Sequence, residues 1–490
     1  MNPKKIIIVG GGIEGWTVAS LLGRHLPPTV AEVFVIEHPV PNVIIAESAG
    51  SSINSFHQLL GIKEKTLLAA SNTTYRMGIR YDGWSSSSQR YVLSEGRYGD
   101  TFRGIDFHQL YAKSLQLGVR NSFDEYSINS VSVKLNRCAS PVSNQQSIYS
   151  CLVHGLNLQA DSYAKVLKEN AIDASVTTIK GAVNRVGLDS ETGHISVVHL
   201  DNGEAIAADF FIDCSGKEGV LIAGGLSVSL ISQDCVFNRV AVGSSTSEEI
   251  GSPAANLSMH NDGFLKQVLL KDKSICSYNF SSLNLNDEGA KQYLNKLGII
   301  DISFQDKHCE RRSSFWHKNC VAIGSAAASH YDIYYSPLQS VRNSAVRLLD
   351  LLMGFDDFES VSSEYNRQSF VEYDGIEELN QLHLYFARSQ SAILREYFES
   401  HYLTEYALHR LNLFSLTGKL TYSNEDILTK SEWIAFFMGN NVFPETYNND
   451  VDFVENSNLL KFIEKIRVEI YKAAEKVPRH VDFIANVLNG

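Results

Sequence analysis

Three glycines near the start of the chain have the spacing that lets a backbone hold a dinucleotide. Gly10, Gly12 and Gly15 stand in Gly10-Gly11-Gly12-Ile13-Glu14-Gly15, a G-x-G-x-x-G pattern. In such a pattern the first glycine makes a tight turn and the second lets the backbone approach a pyrophosphate. The third lets a helix pack closely on a strand. The pyrophosphate belongs on the N-terminus of the helix that follows, where unpaired N–H groups and the helix dipole favour an anion. Ile13 and Glu14 fall inside that cradle. Glu37 stands 22 residues after Gly15, where a carboxylate takes a ribose hydroxyl.

These residues need a sheet to position them. Lys4-Lys5-Ile6-Ile7-Ile8-Val9 is a short apolar run rich in β-branched residues, which reads as a buried parallel strand. A helix from about Gly15 to Leu26 ends ahead of Pro27-Pro28, which cannot continue it. Val33-Phe34-Val35-Ile36 reads as the second strand. Further apolar runs break at Cys214-Ser215-Gly216 and at Gly324. Strand-to-turn junctions this far apart predict one sheet assembled from distant segments. Polar stretches at 85–88 and 140–147 read as surface loops. After Pro337, Val341, Ala345, Leu348, Leu349 and Leu352 recur at helical spacing, with Gly354 placed as a stop. Phe462, Ile463, Ile466, Ile470, Ala473 and Ala474 form an apolar stripe that reads as core.

Composition bounds the rest. A chain of 490 residues with 44% hydrophobic and 20% charged residues is globular and long enough for several modules. The net charge of −12, with no basic run, argues against a nucleic-acid partner. The seven cysteines are scattered and form no C-x-x-C pair, which suits a reduced, cytoplasmic protein. His308 and Cys309 are adjacent but lack partners at metal-ligand spacing, so no metal site is expected. The first strand begins so early that no room is left for a signal peptide. No apolar stretch approaches the roughly 20 residues that span a bilayer, so no membrane role is expected.

After the fingerprint the chain leaves for a long excursion and returns at Asp213-Cys214-Ser215-Gly216, a two-part nucleotide domain of the kind flavoproteins use. More specifically, it resembles the flavin-dependent halogenases typified by tryptophan halogenases. The residues that carry the resemblance are Gly10 to Trp16, Ala46-Glu47-Ser48, Leu60-Gly61-Ile62 and the stretch from Asn72 to Trp84, whose alternating aromatic and basic residues look like the family's strand that closes on a Trp. Asp213-Cys214-Ser215-Gly216, Ala322-Ile323-Gly324 and Pro337-Leu338-Gln339-Ser340 follow in the right order. The resemblance covers about the first 350 residues. It implies an α/β fold: a Rossmann-like FAD-binding domain of the flavin monooxygenase/halogenase type with a largely helical substrate module. The implied organisation is an FAD-binding domain in three parts (1–84, 156–225, 311–354), a substrate-module insertion (85–155), a substrate-side sheet with loops (226–310) and a helical C-terminal module (355–490). FAD is the implied cofactor, held by Gly10, Gly12, Ile13, Glu14, Gly15, Glu37, Glu47, Ser48, Val183, Gly324, Ser325 and Asn343. A separate flavin reductase is implied as the source of reduced FAD.

Family members use reduced FAD and oxygen to turn a halide into hypohalous acid, which reaches a lysine beside the substrate with a glutamate nearby. Matched motif to motif, the lysine falls on Arg76 in Tyr75-Arg76-Met77, and the glutamate falls on Gln339. A guanidinium stays protonated and offers no free amine, though it can orient an oxidant or clamp a carboxylate. An amide does no general-base work but can bind. The nearby Arg80 matches a second basic position and reads as structural. The family's Trp-x-Trp-x-Ile-Pro signature should lie at Gly263–Leu269, where both tryptophans and the proline are missing. The halide-binding backbone pair falls on Val341 and Arg342, after a longer 330–335 segment. His330, Tyr331 and Tyr335 of that segment are candidate site residues, His330 because imidazole moves protons near neutral pH. The expected function is oxidation of an aromatic or other electron-rich small molecule by oxygen or halogen transfer, with a halide as a possible partner. Alternatives are a true halogenase with a rewired site and a non-catalytic flavin-binding protein.

Overall fold

The computed structural model describes residues 3–38, 45–86, 90–246, 250–352 and 358–490, so the stop expected at Gly354 lies outside the described residues. The chain divides into two compact units, one of residues 1–72, 158–235 and 306–374, the other of residues 73–157, 236–305 and 375–490.

The first unit is built on six strands: β1 (Lys4–Val9), β2 (Ala31–Glu37), β3 (Thr177–Lys180), β4 (Phe210–Asp213), β5 (Trp316–His317) and β6 (Cys320–Ala322), in the spatial order β5-β6-β4-β1-β2-β3. The β1 register sets Ile6 beside Val33 on one side and beside Phe210 on the other, both in parallel pairing. β6 extends the parallel sheet from β4, and only the short β5 runs antiparallel. Ile6, Ile7, Ile8 and Val9 have no exposed surface, as a strand covered on both faces requires. Helix α1 (Ile13–His25) packs on α2 (Ala160–Asp173) and α3 (Pro337–Leu351). It ends where the sequence places Pro27.

Three distant segments close on one another at the carboxyl ends of these strands. The Gly10 N–H donates to the Ile36 carbonyl at 3.0 Å, the Cys214 N–H to the Val9 carbonyl at 2.8 Å, and the Ile323 N–H to the Asp213 carbonyl at 2.9 Å. Asp213 is fully buried. Its carboxylate accepts from the N–H groups of Ser215 (3.0 Å), Leu221 (2.8 Å) and Ile222 (2.9 Å), which fixes the turn after β4.

The second unit carries a seven-stranded sheet in the order 300–306, 239–246, 273–280, 263–269, 254–260, 78–82, 90–94. Strand 254–260 pairs parallel with 78–82 and antiparallel with 263–269. Tyr278, Phe280, Ala290, Leu294 and Ile299 form a core under helix Asp287–Lys296. The stretch from Asn72 to Trp84 is not one strand. It breaks at Met77, whose N–H donates to the Pro253 carbonyl at 2.7 Å. Thr74–Arg76 pairs with 155–157, whereas Gly78–Asp82 joins the large sheet. The C-terminal helices carry clear start signals, including a Thr429/Glu432 capping box, and Asn456–Ala474 buries Leu459, Ile463 and Ile470. Among the described residues no helix is long and apolar enough to cross a membrane.

Replacing Asp213 with Ala leaves buried N–H groups unpaired, so D213A is expected to cost about 3 kcal/mol of stability. A lower denaturant midpoint in equilibrium unfolding checks this.

Candidate functional site

The nucleotide cradle in the first unit is shaped by what its glycines leave out. Gly10 adopts φ 138°, and a Cβ there would stand 2.1 Å from the Cys214 carbonyl oxygen. A Cβ on Gly15 would stand 2.0 Å from the Gly10 carbonyl oxygen. Substitution at either position therefore collides with backbone. Gly12 is the N-cap of α1, extended and with no side chain capping the first turn. Gly12, Ile13 and Glu14 are partly exposed while the rest of the first two turns is buried. The first-turn N–H groups are thus left uncapped by any side chain of the cap, which is what an anion site at a helix start requires.

Trp16, directly after the third glycine, is buried, and its indole N–H donates to the Gly11 carbonyl at 3.0 Å. The Lys168 ammonium lies 5.2 Å from the Trp16 ring centroid and forms an ion pair with Glu37. Glu37 does reach the end of β2, next to Gly11, but there its carboxylate is already shared with Lys168.

Glu14 makes the connection that the sequence pattern does not show. Its carboxylate accepts from the Ser325 N–H at 2.9 Å and from the Ser325 hydroxyl at 3.0 Å. Gly324 has φ 71°, and a Cβ there would strike the Glu14 carboxyl carbon at 2.3 Å. The fingerprint helix and the turn after β6 are latched together by these contacts. Desolvation raises the Glu14 pKa to about 7, the Ser325 hydrogen bonds pull it down, and Asp213 adds to the rise. Arg312, unremarked in the sequence, is buried and donates to the carbonyls of Ala326 (2.9 Å), Val228 (3.2 Å) and Lys217 (3.0 Å). It staples three loops at the same end of the sheet.

The remaining sequence candidates in this unit fall into two groups. Glu47 and Ser48 are buried on strand Ala46–Ala49, and Glu47 accepts from the Leu338 N–H at 3.4 Å. Val183 opens a three-stranded antiparallel sheet, and its N–H donates to His38 Nδ1 at 3.1 Å. Gln339 lies in the first turn of α3, its N–H directed to the N-cap Ser336. His330 is buried, with Nδ1 2.9 Å from the Tyr331 carbonyl and Nε2 3.4 Å from the Ser340 hydroxyl. Tyr335 and Asn343 take part in an internal network. The Tyr335 hydroxyl donates to Glu372 at 2.7 Å, and the Asn343 amide donates to both. Arg347 closes that network on Glu372 at 2.7 Å. Val341 and Arg342 lie within α3, and Arg342 donates to the Ser52 hydroxyl at 3.2 Å.

Arg76 belongs to the second unit. It is buried and ion-paired with Glu95 at 3.0 Å. Arg80 donates to the Val133 carbonyl and to the Ser252 hydroxyl. Strand Gly263–Leu269 holds Lys266 with 1% exposure. Lys266 lies in register with Leu257, and Leu257 with Tyr81, so all three share one face of the sheet. The Tyr81 hydroxyl is 2.9 Å from His383 Nε2. Strand pairing thus puts an amine and a phenol on that face, and the helix that carries His383 brings an imidazole to the phenol.

The residues of the first unit fit a flavin dinucleotide. Its glycine turn admits no Cβ, the uncapped first turn of α1 offers N–H groups to a pyrophosphate, and an acid stands at the end of β2. Among the described residues no group of three or more His, Cys, Asp or Glu is placed to hold a metal ion.

Comparison with known proteins gives the same picture. The tryptophan halogenase family model matches residues 5–456. Tryptophan 6-halogenase SttH of Streptomyces toxytricini is 24% identical over 418 residues, covering 78% of each chain. BrvH, a flavin-dependent halogenase from Brevundimonas sp. BAL3, shares the fold with a TM-score of 0.94 at 23% identity over 99% of both chains. Xcc4156, a flavin-dependent halogenase from Xanthomonas campestris, does so with a TM-score of 0.93 at 23% identity, again over 99% of both.

The raised Glu14 pKa gives a signed prediction. With its pKa raised to about 7, Glu14 should keep its proton in the folded protein over a pH range in which the unfolded chain has released it. Stability should therefore fall as pH rises from 4.5 to about 7, by an amount on the order of 2 kcal/mol. In E14Q, which keeps an acceptor for Ser325, that slope should flatten. Denaturant midpoints measured across this window for both proteins check it.

Proposed function

We propose, from the premise that this chain belongs to the tryptophan halogenase family, that it is an FAD-dependent oxidoreductase that adds oxygen or halogen to an electron-rich aromatic small molecule. Bound reduced FAD, the cofactor of the family, supplies the oxidising chemistry together with oxygen. Gly12 and Ile13 offer backbone N–H groups to the pyrophosphate, and Gly10 and Gly15 give the turn the close backbone approach it needs. Glu14, Gly324 and Ser325 fix the turn that faces it, and Glu37 takes a ribose hydroxyl with the Glu oxygen that Lys168 leaves available. Glu47, Ser48, Val183 and Asn343 complete the surroundings of the cofactor. Arg76, its guanidinium oriented by Glu95, donates hydrogen bonds but carries no amine that a halogen can transfer through. Gln339 binds without moving a proton, and His330 is the group of the 330–335 segment able to move one. Reducing equivalents come from a separate flavin reductase, because the chain has a single dinucleotide fingerprint. A reduced, cytoplasmic setting suits cysteines that form no disulfide.

The observation that carries this reading is the intact closure of Gly10 on Cys214 with Glu14 latched to Ser325; the ion-paired Arg76, which we match to the family's lysine, supports it. The test is turnover with a flavin reductase, oxygen and a panel of indoles and phenols, read by product mass. One added oxygen atom without halide is the expected result. Flavin that is bound and reoxidised with no product, with or without bromide, would leave only a flavin-binding protein.

A second reading, a halogenase with a rewired site, is favoured by Lys266, an amine buried on the strand where the family's tryptophan pair is absent. It predicts a bromine isotope doublet in the product that appears only with bromide. K266Q should then lose most of the doublet while R76Q keeps it, and survival of the doublet in K266Q would remove this reading.

A further inference from the structure

Two of the seven cysteines, far apart in sequence, meet in the first unit. Strand 230–233 pairs antiparallel with 309–312, with Gln233 in register with Cys309, and Cys235 follows two residues on. The Cys309 thiol donates to Cys235 Sγ at 3.4 Å. The Tyr331 hydroxyl donates to the same sulfur at 3.3 Å. The Lys307 carbonyl lies 3.4 Å from Cys235 Sγ, and the Lys307 ammonium is held at the His330 carbonyl at 2.6 Å. Cys235 is partly exposed whereas Cys309 is buried.

We propose that Cys235 and Cys309 form a peroxide-sensitive dithiol, Cys235 attacking and Cys309 resolving, that closes to a reversible disulfide. The asymmetry of the pair supports these roles. The hydrogen bond from Cys309, with that of Tyr331 and the nearby Lys307 ammonium, favours a thiolate on Cys235 and lowers its pKa against the burial that raises it. The same contact with Cys235, together with burial, pushes the Cys309 thiol up. A partly exposed thiolate beside a second thiol is the arrangement in which oxidation ends in a disulfide. The other five cysteines are Cys138, Cys151, Cys214, Cys276 and Cys320. Of these, Cys214, Cys276 and Cys320 have thiols raised by burial.

The step balances with hydrogen peroxide as oxidant. The Cys235 sulfur attacks one peroxide oxygen, the O–O bond breaks and hydroxide leaves, giving a sulfenic acid. The Cys309 sulfur then attacks Cys235 Sγ, the S–O bond breaks and water leaves. Overall two thiols lose two electrons and two protons, and one peroxide becomes two waters. Reduced flavin and oxygen, the reagents of the proposed reaction, release peroxide whenever substrate is missing. Closure also removes the thiolate acceptor of the Tyr331 hydroxyl, next to His330.

The experiment treats the purified full chain with hydrogen peroxide in the absence of flavin, so its outcome is separate from the proposed activity. The titratable thiols should fall by two from seven, with a mass loss of about 2 Da that a dithiol reverses. Non-reducing peptide mapping should link Cys235 to Cys309. C309A should instead accumulate a sulfenic acid on Cys235 that dimedone traps, and C235A should slow oxidation at this site at least about tenfold. Wild-type protein that keeps both thiols, links other cysteines, or gains oxygen on Cys235 or Cys309 without joining them would overturn the proposal. The wild-type peptide map decides this even where a variant does not fold.

Discussion

The lack of room between Gly10 and Cys214 is the constraint on which the first unit depends. Only a residue without a Cβ lets the turn after β1 pass 2.1 Å, in Cβ terms, from the carbonyl that ends β4. That approach brings the carboxyl ends of β1, β2, β4 and β6 to one edge, where Gly10, Cys214 and Ile323 bond to neighbouring strands. The third glycine repeats the demand from the other side, so that α1 begins directly over the turn. Because the neighbouring atoms are backbone, no side-chain rearrangement relieves the contact.

Polar groups then hold the edge in shape. Asp213 collects three N–H groups of the following turn, and Arg312 collects three carbonyls from three loops. Glu14 bridges the first and last of the segments that build the cradle. Asp213 and Arg312 are buried, where hydrogen bonds are electrostatically strong and an unpaired partner is costly. Their bonds fix the turns around the cradle from within the chain itself.

Much of this was legible in the residues. The β-branched run 6–9, the glycine spacing, the acid at the end of the second strand and the distant Asp213 turn all followed from local pattern, because strand burial and turn geometry are local demands. Other features were not legible. The Asn72 to Trp84 stretch has one continuous β pattern, yet it splits at Met77 because a backbone group of Pro253 captures the Met77 N–H. Glu37 carries the right residue type at the right spacing, but Lys168 from a helix more than a hundred residues away shares its carboxylate. Tyr335 and Asn343 stand at candidate positions, and their hydrogen bonds to Glu372 join residues too far apart in the chain to be read from it.

The sequence by itself determined the dinucleotide fingerprint and the family to which the chain belongs. Those facts are written in spacing and identity, and they do not depend on what each side chain touches. Only the tertiary structure decided the partnerships: Glu14 with Ser325, Arg76 with Glu95, Lys266 on the face of Tyr81, and Cys235 with Cys309. Each joins residues whose separation along the chain is set by strand order and register, and those are properties of the assembled sheets rather than of any local stretch.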